Sequence, residues 1–172
     1  MMFKAFRCQI CGETYLGEET PDRCPFCAAH NRHLMTPAEW VRHGQVQMSE
    51  ESFKDCERAV DLELKNKAFY RCAAEATNSQ VLEAFFKRLA SQEGEHAELL
   101  CEMMGIDEPD APEETCSTND HDNMEEAHAR ENRAMQFYQE VADRAQEPRV
   151  KQVFHALSDI ESEHLKISSV YR

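Results

Sequence analysis

Two apolar stretches of the chain each enclose the same polar pair, a glutamate followed three residues later by a histidine: Glu93 and His96 in LASQEGEHAELL, Glu161 and His164 in LSDIESEHLKI. In a helix, residues three apart share a face. Both pairs therefore point where Phe86, Leu89 and Leu100, or Phe154, Leu157 and Leu165, ask for packing. Burying an unpartnered charge costs several kcal/mol, which restricts the chain to folds that supply partners. Sliding the second stretch back by 68 residues finds them: Glu131 falls on Glu63, Phe137-Tyr138 on Phe69-Tyr70, Phe154 on Phe86 and Leu157 on Leu89. Glu63 to Glu93 and Glu131 to Glu161 are each 30 residues. The repeated unit is a helical hairpin that offers one mid-helix glutamate and one Glu-x-x-His.

Apolar spacing of three and four predicts helices from Ser49 to about Thr77, Gln80 to Met104, Asp120 to about Ala145 and Pro148 to about Val170. The breaks fall at Thr77-Asn78-Ser79, at Gly105 to Asn119 and at Gln146-Glu147. Short first and third links force antiparallel hairpins. The middle link, GIDEPDAPEETCSTND, reaches ~50 Å when extended, more than the ~36 Å of a 24-residue helix. One long crossover between two hairpins is the layout of ferritin-like four-helix bundles, and the fold class is mainly α.

A pseudo-two-fold axis between the hairpins would bring six groups to the bundle centre: Glu63, Glu93, His96, Glu131, Glu161 and His164, the ligand set of a di-metal carboxylate site. Glu131 shares its stripe with Met124, Ala127, Ala134, Met135 and Tyr138, so it points inward, whereas Glu95 lines up with Ser91, Gln92 and Glu98, and Glu163 with Asp159 and Lys166, on a solvated face. For Glu63 the repeat is the argument, since Asn66 and Lys67 share its side. Four ionised glutamates and two neutral histidines carry a charge that two divalent cations cancel. Oxygen-rich ligation with one histidine per metal suits Fe or Mn, and Zn also fits.

Residues 1–35 differ in kind, holding four of the eight cysteines, two of the six prolines and too little apolar mass for a core of their own. Cys8-x-x-Cys11, twelve residues, then Cys24-x-x-Cys27 make two knuckles that close a tetrahedral S₄ site for Zn or a single Fe. FRCQICGETY and RCPFC resemble rubredoxin, through Phe6, the Cys11-Gly12…Tyr15 run and Pro25, with Ala28 standing where rubredoxins have glycine after the fourth cysteine. Thr36, Pro37 and Glu39 then form a capping box, which predicts a linker helix over 36–48 ended by Gly44 and anchored by Trp40. The domains are read as 1–35, the linker 36–48 and the bundle 49–172.

The formal charge of −14 argues against nucleic acid or an anionic membrane surface as partner. No apolar run approaches a membrane span, and MMFKAFRC lacks the core of an export signal. With four cysteines in metal-like spacing, a reducing cytoplasm is expected; Cys56, Cys72, Cys101 and Cys116 read as core or loop thiols.

Both sites together make the whole chain resemble the rubrerythrin family, in the form with the rubredoxin-like domain first. The resemblance implies two irons at the six-residue site and one iron at Cys8, Cys11, Cys24 and Cys27. It implies electrons entering through the Fe(Cys)₄ centre from a reductase or rubredoxin, reduction of hydrogen peroxide to water, and a head-to-tail homodimer. Such proteins typically carry a second glutamate one turn after the third-helix ligand; here that place is Ala134. This keeps open an oxidase, ferroxidase or iron-handling bundle that reacts with dioxygen and carries a structural Zn(Cys)₄ knuckle. His128, one turn before Glu131, is an acid–base candidate, and Tyr70 and Tyr138 are candidates to hydrogen-bond ligand carboxylates.

Overall fold

The computed structural model describes residues 2–171. The chain opens with a small antiparallel sheet of three strands, β1 (Lys4–Cys8), β2 (Thr14–Gly17) and β3 (Leu34–Met35), in the order β2-β1-β3. Phe6 faces Tyr15 and Arg7 faces Met35 across it. Four helices follow: α1 (Glu50–Ala76), α2 (Gln80–Met104), α3 (Asp120–Arg144) and α4 (Pro148–Tyr171). These ends agree with the expected helices to within a residue or so.

The helix starts are chemically explicit. Ser49 accepts the Ser52 N–H at 3.1 Å, Ser79 the Leu82 N–H at 3.4 Å, and Asn119 the His121 N–H at 2.9 Å, each satisfying a backbone donor that the first turn leaves free. Gly105 ends α2 in the left-handed region, φ 70°, which glycine adopts at no steric cost. α1 packs on α2 and α3 on α4, with α1 also against α3. Residues 105–119 cross from one hairpin to the other.

One apolar cluster unites the small sheet with one end of the bundle: Phe6, Ile10, Ala29 and Leu34 pack with Cys56, Leu100, Phe154 and Ile160. A second cluster, built on Phe69, Tyr70, Phe86 and Met124, fills the bundle elsewhere. Residues too few to form a core have thus borrowed one. Among the described residues, no helix is long and apolar enough to cross a membrane.

Two expectations are corrected. The linker helix over 36–48 is absent: the capping box forms, with Thr36 Oγ1 and N–H both donating to Glu39 Oε2 at 2.6 and 3.2 Å, yet the chain leaves the helical path after one turn. A short isolated helix is marginal, and better partners lie beside it. The Trp40 indole donates to the Cys8 carbonyl at 3.1 Å with the Arg7 guanidinium stacked 3.7 Å from its ring. The Gln9 side chain bonds both the N–H and C=O of Val41, and Val46 N–H reaches Met103 O at 2.8 Å. Trp40 anchors an extended strap. Secondly, Cys72 and Cys116 are joined as a disulfide that ties α1 to the crossover, while Cys56 and Cys101 remain buried thiols.

Candidate metal centres

All six predicted groups come together in the middle of the bundle. Glu63 from α1, Glu93 and His96 from α2, Glu131 from α3, and Glu161 and His164 from α4 are buried almost without exposure. They form two overlapping sets whose ligand atoms lie within 4.8 Å of one another: Glu63, Glu93, His96 and Glu161, then Glu93, Glu131, Glu161 and His164. Glu93 and Glu161 belong to both, so the two sets share two carboxylates and each adds one further glutamate and one histidine.

A test of fit comes from the polar atoms left over. Glu63 Oε2, both Glu93 oxygens, His96 Nδ1, Glu131 Oε2 and Glu161 Oε1 are buried without a hydrogen-bond partner. Orphaned polar atoms are rare in folded proteins because each loses its hydration, and here they converge. His96 Nδ1 lies 3.5 Å from Glu63 Oε2 and 3.7 Å from Glu161 Oε1, and His164 Nδ1 lies 3.0 Å from Glu161 Oε2 and 3.5 Å from Glu131 Oε2. The residues present fit a pair of cations.

The remaining atoms hold the ligands in place. Tyr138 OH donates to Glu63 Oε1 at 2.6 Å, and Tyr70 OH donates to Glu131 Oε1. Each tyrosine thus serves the glutamate of the opposite hairpin, as a two-fold axis requires. The histidines break that symmetry. His164 Nε2 meets Gln92 Oε1 at 3.1 Å, whereas His96 Nε2 meets the backbone carbonyl of Cys27 at 3.0 Å. The repeat places Ile160 where a second Gln92 would stand, and the small domain supplies the missing acceptor. Both bonds fix the tautomer in which Nδ1 presents its lone pair to the cluster.

Protonation follows from crowding four buried carboxyls. Burial, then the negative charge of Glu161, pushes Glu93 well above the usual carboxylate range; burial and Glu131 do the same to Glu161. Burial opposes ionisation of Glu131 too, but the neighbouring Glu161 carboxyl, His164 and the Tyr70 hydroxyl together hold it at about 2. Glu63 is likewise lowered, burial being outweighed by His96, Glu93 and Tyr138. His96 is raised, because Glu63 outweighs its burial.

The four knuckle cysteines also cluster. Cys8 Sγ lies 3.8 Å from Cys27 Sγ, and Cys11 Sγ 3.8 Å from Cys24 Sγ. Hydrogen bonds among the four push the Cys8 and Cys24 thiols down and the Cys11 and Cys27 thiols up, so in the absence of metal two of the four are held as thiolates and two as thiols. Gly12 and Ala28 follow the two knuckles at φ 79° and 63°, their N–H groups reaching the Cys8 and Cys24 carbonyls at 3.0 Å. The turn expected of glycine therefore forms with Ala28, against the steric resistance of its Cβ.

Glu95 and Glu163 stay outside the cluster, and Glu163 pairs with Arg23 at 3.2 Å. His128 Nδ1 meets Ser168 Oγ at 3.1 Å. Gln92, grouped with the solvated face by periodicity, is instead buried against His164. Its one available signal was a position next to Glu93 in a chain that needs acceptors for ligand histidines. The buried carboxylates among the described residues are the four named glutamates, and Ala134 packs in the core.

Glutamates shared between two histidines, inside hairpins joined by one long crossover, place the chain in the class of ferritin-like bundles. A ferritin from the green alga Ulva pertusa aligns with a TM-score of 0.59, covering 74% of this chain and 76% of that one at 19% identity, a likeness of fold. Among protein families, rubrerythrin matches residues 56–169, and the rubrerythrin rubredoxin-like domain matches residues 6–34. Reverse rubrerythrin-1 of Clostridium acetobutylicum is 26% identical over 114 residues, 59% of this chain and 62% of that protein, so less than two-thirds of the relative is spanned. The chain belongs to the rubrerythrin family, with the rubredoxin-like domain first.

Proposed function

We propose that this protein is a rubrerythrin-type oxidoreductase of the cytoplasm, defending against oxidative stress by reducing hydrogen peroxide to water: H₂O₂ with two electrons and two protons gives two H₂O. Glu63, Glu93, His96, Glu131, Glu161 and His164 hold two irons, and Cys8, Cys11, Cys24 and Cys27 hold one. Iron bound at these sites supplies the one-electron steps. The observation that carries the reading is the 3.0 Å contact between His96 Nε2 and the Cys27 carbonyl. It joins a cysteine ligand to a histidine ligand through the Cys27 main chain and a single hydrogen bond.

The chain's own groups prepare the reaction. Gln92 and Cys27 O keep both Nδ1 atoms aimed inward, and the tyrosines hold Glu63 and Glu131. Complete burial keeps bulk solvent away from the six groups. Electrons come from a reductase or a rubredoxin, and the protein works as a homodimer. A single chain already brings its two centres together, so the dimer is not needed for that contact.

Ala134 supports a second reading. With no fifth buried carboxylate, the six-group site is symmetric in its ligands and suits an oxidase or ferroxidase that takes dioxygen as readily as peroxide. Mixing the reduced protein with each oxidant separates the two. Peroxide reoxidising it at least tenfold faster is the expected result, and equal rates favour the oxidase. Protein that turns over with zinc in a colourless Cys₄ site would overturn electron entry.

A further inference from the structure

Each knuckle presents its two inner carbonyls to one arginine of the bundle. Arg149, the second residue of α4, donates from Nη1 to Gln9 O at 2.8 Å and from Nη2 to Ile10 O at 3.1 Å, the two residues between Cys8 and Cys11. Arg88 of α2 donates from Nη2 to Phe26 O at 2.8 Å and to Pro25 O, the two residues between Cys24 and Cys27. Arg88 is exposed to solvent. Arg149 is half-buried, its Nη1 is further held by Gln152 Oε1 at 2.9 Å, and its Nε is buried without a partner.

All of Arg149's hydrogen-bond partners are neutral, a costly arrangement for a partly buried cation. The anionic group that favours its charge most is the Cys8 thiolate, followed by Glu102, against the burial that lowers its guanidinium to about 10. Four thiolates around a trivalent ion carry a net −1, and around a divalent ion −2. A fixed cation beside them favours the second. Net charge, hydrogen bonding and solvent exposure are the means by which a protein sets the potential of such a centre.

We propose that Arg149 is a positioning residue that raises the reduction potential of the Cys₄ centre, its planar fork seating the first knuckle on α4 while its charge favours the reduced form. The proposal rests on the reading that iron fills this centre. The test is a reductive titration of iron-reconstituted full-length protein, followed by the visible absorption of the red oxidised form, for the natural chain and Arg149→Gln, Arg149→Lys and Arg88→Gln.

Arg149→Gln keeps an N–H for the carbonyls and removes the charge. It should lower the equilibrium constant for reduction at least tenfold, about 59 mV for a one-electron couple. Arg149→Lys should stay within threefold of the natural protein, as should Arg88→Gln, whose charge water and salt already screen. An Arg149→Gln value within threefold of natural, or an Arg149→Lys value as low as that of Gln, overturns the proposal. So does loss of iron from Arg149→Gln with helices intact, which would show that the residue retains the metal rather than tunes its potential. A natural chain that refuses iron counts against the electron-entry reading instead, whereas red protein with an unmoved potential counts against Arg149 alone.

Discussion

Loading the bundle with metal should release protons. In the metal-free cluster Glu63 and Glu131 are ionised, while Glu93 and Glu161 are pushed well above the usual carboxylate range and hold their protons. Two divalent cations require all four ionised, so about two protons leave near neutral pH, and apparent affinity rises about 100-fold per pH unit. His96, raised by Glu63, adds a third below its own midpoint.

The same directions set the stability of the metal-free protein. Glu93, Glu161 and His96 have native values above their unfolded ones, so their contribution is full at low pH and is lost as pH climbs through the native values. Glu131 works the other way: a carboxyl held at about 2 rather than 4.5 contributes on the order of 3 kcal/mol above pH 4.5, lost as pH falls toward 2. Metal-free protein should therefore be most stable in mild acid and weaken toward pH 8, whereas loaded protein should not weaken there. Titration calorimetry with Mn(II) in buffers of different ionisation enthalpy counts the protons, and urea midpoints against pH give the stability. Heats independent of buffer, or a metal-free midpoint that rises between pH 5 and 8, would refute the protonation scheme.

Removing one hydroxyl with Tyr138→Phe leaves Glu63 Oε1 without its 2.6 Å donor and should weaken metal binding about 10- to 100-fold, read by competition with a chelator. Ala28→Gly relieves the Cβ at φ 63° and should stabilise the Cys₄ domain by about 1 kcal/mol, seen as slower iron loss in denaturant. Cys116→Ser opens the cross-link between residues 44 apart and should cost about 4 kcal/mol on the loop-entropy scale, with Cys72→Ser matching it; two unchanged urea midpoints would show that the bond contributes nothing.

Helix ends and the central cluster were legible because both rest on periodicity, and the 68-residue repeat carried even Glu63, whose neighbours were equivocal. What escaped depends on contacts between segments far apart in sequence. Gln92 sits among Ser91, Glu95 and Glu98, and only the packing of α2 against α4 reveals His164 behind it. The linker's capping box was real, but Gln9, Cys8 and Met103 outbid the helix for the backbone and side chains of Trp40 to Val46. Cys72 and Cys116 gave no spacing signal, since the path of the crossover, not its length, sets their 5.8 Å Cα separation. The tyrosines could be suspected; their exchange of partners across the axis could not be read from one hairpin.

The acceptor for His96 is a carbonyl inside a cysteine knuckle, and Ile160 leaves the bundle no substitute of its own. The two halves of the chain are consequently interlocked rather than modular. A bundle expressed without residues 1–35 would hold one ligand histidine fixed and the other free to turn, so its two half-sites would load unequally even though their carboxylates are intact. Disrupting the second knuckle, as Cys27→Ser does, should accordingly lower metal loading on the His96 side more than on the His164 side.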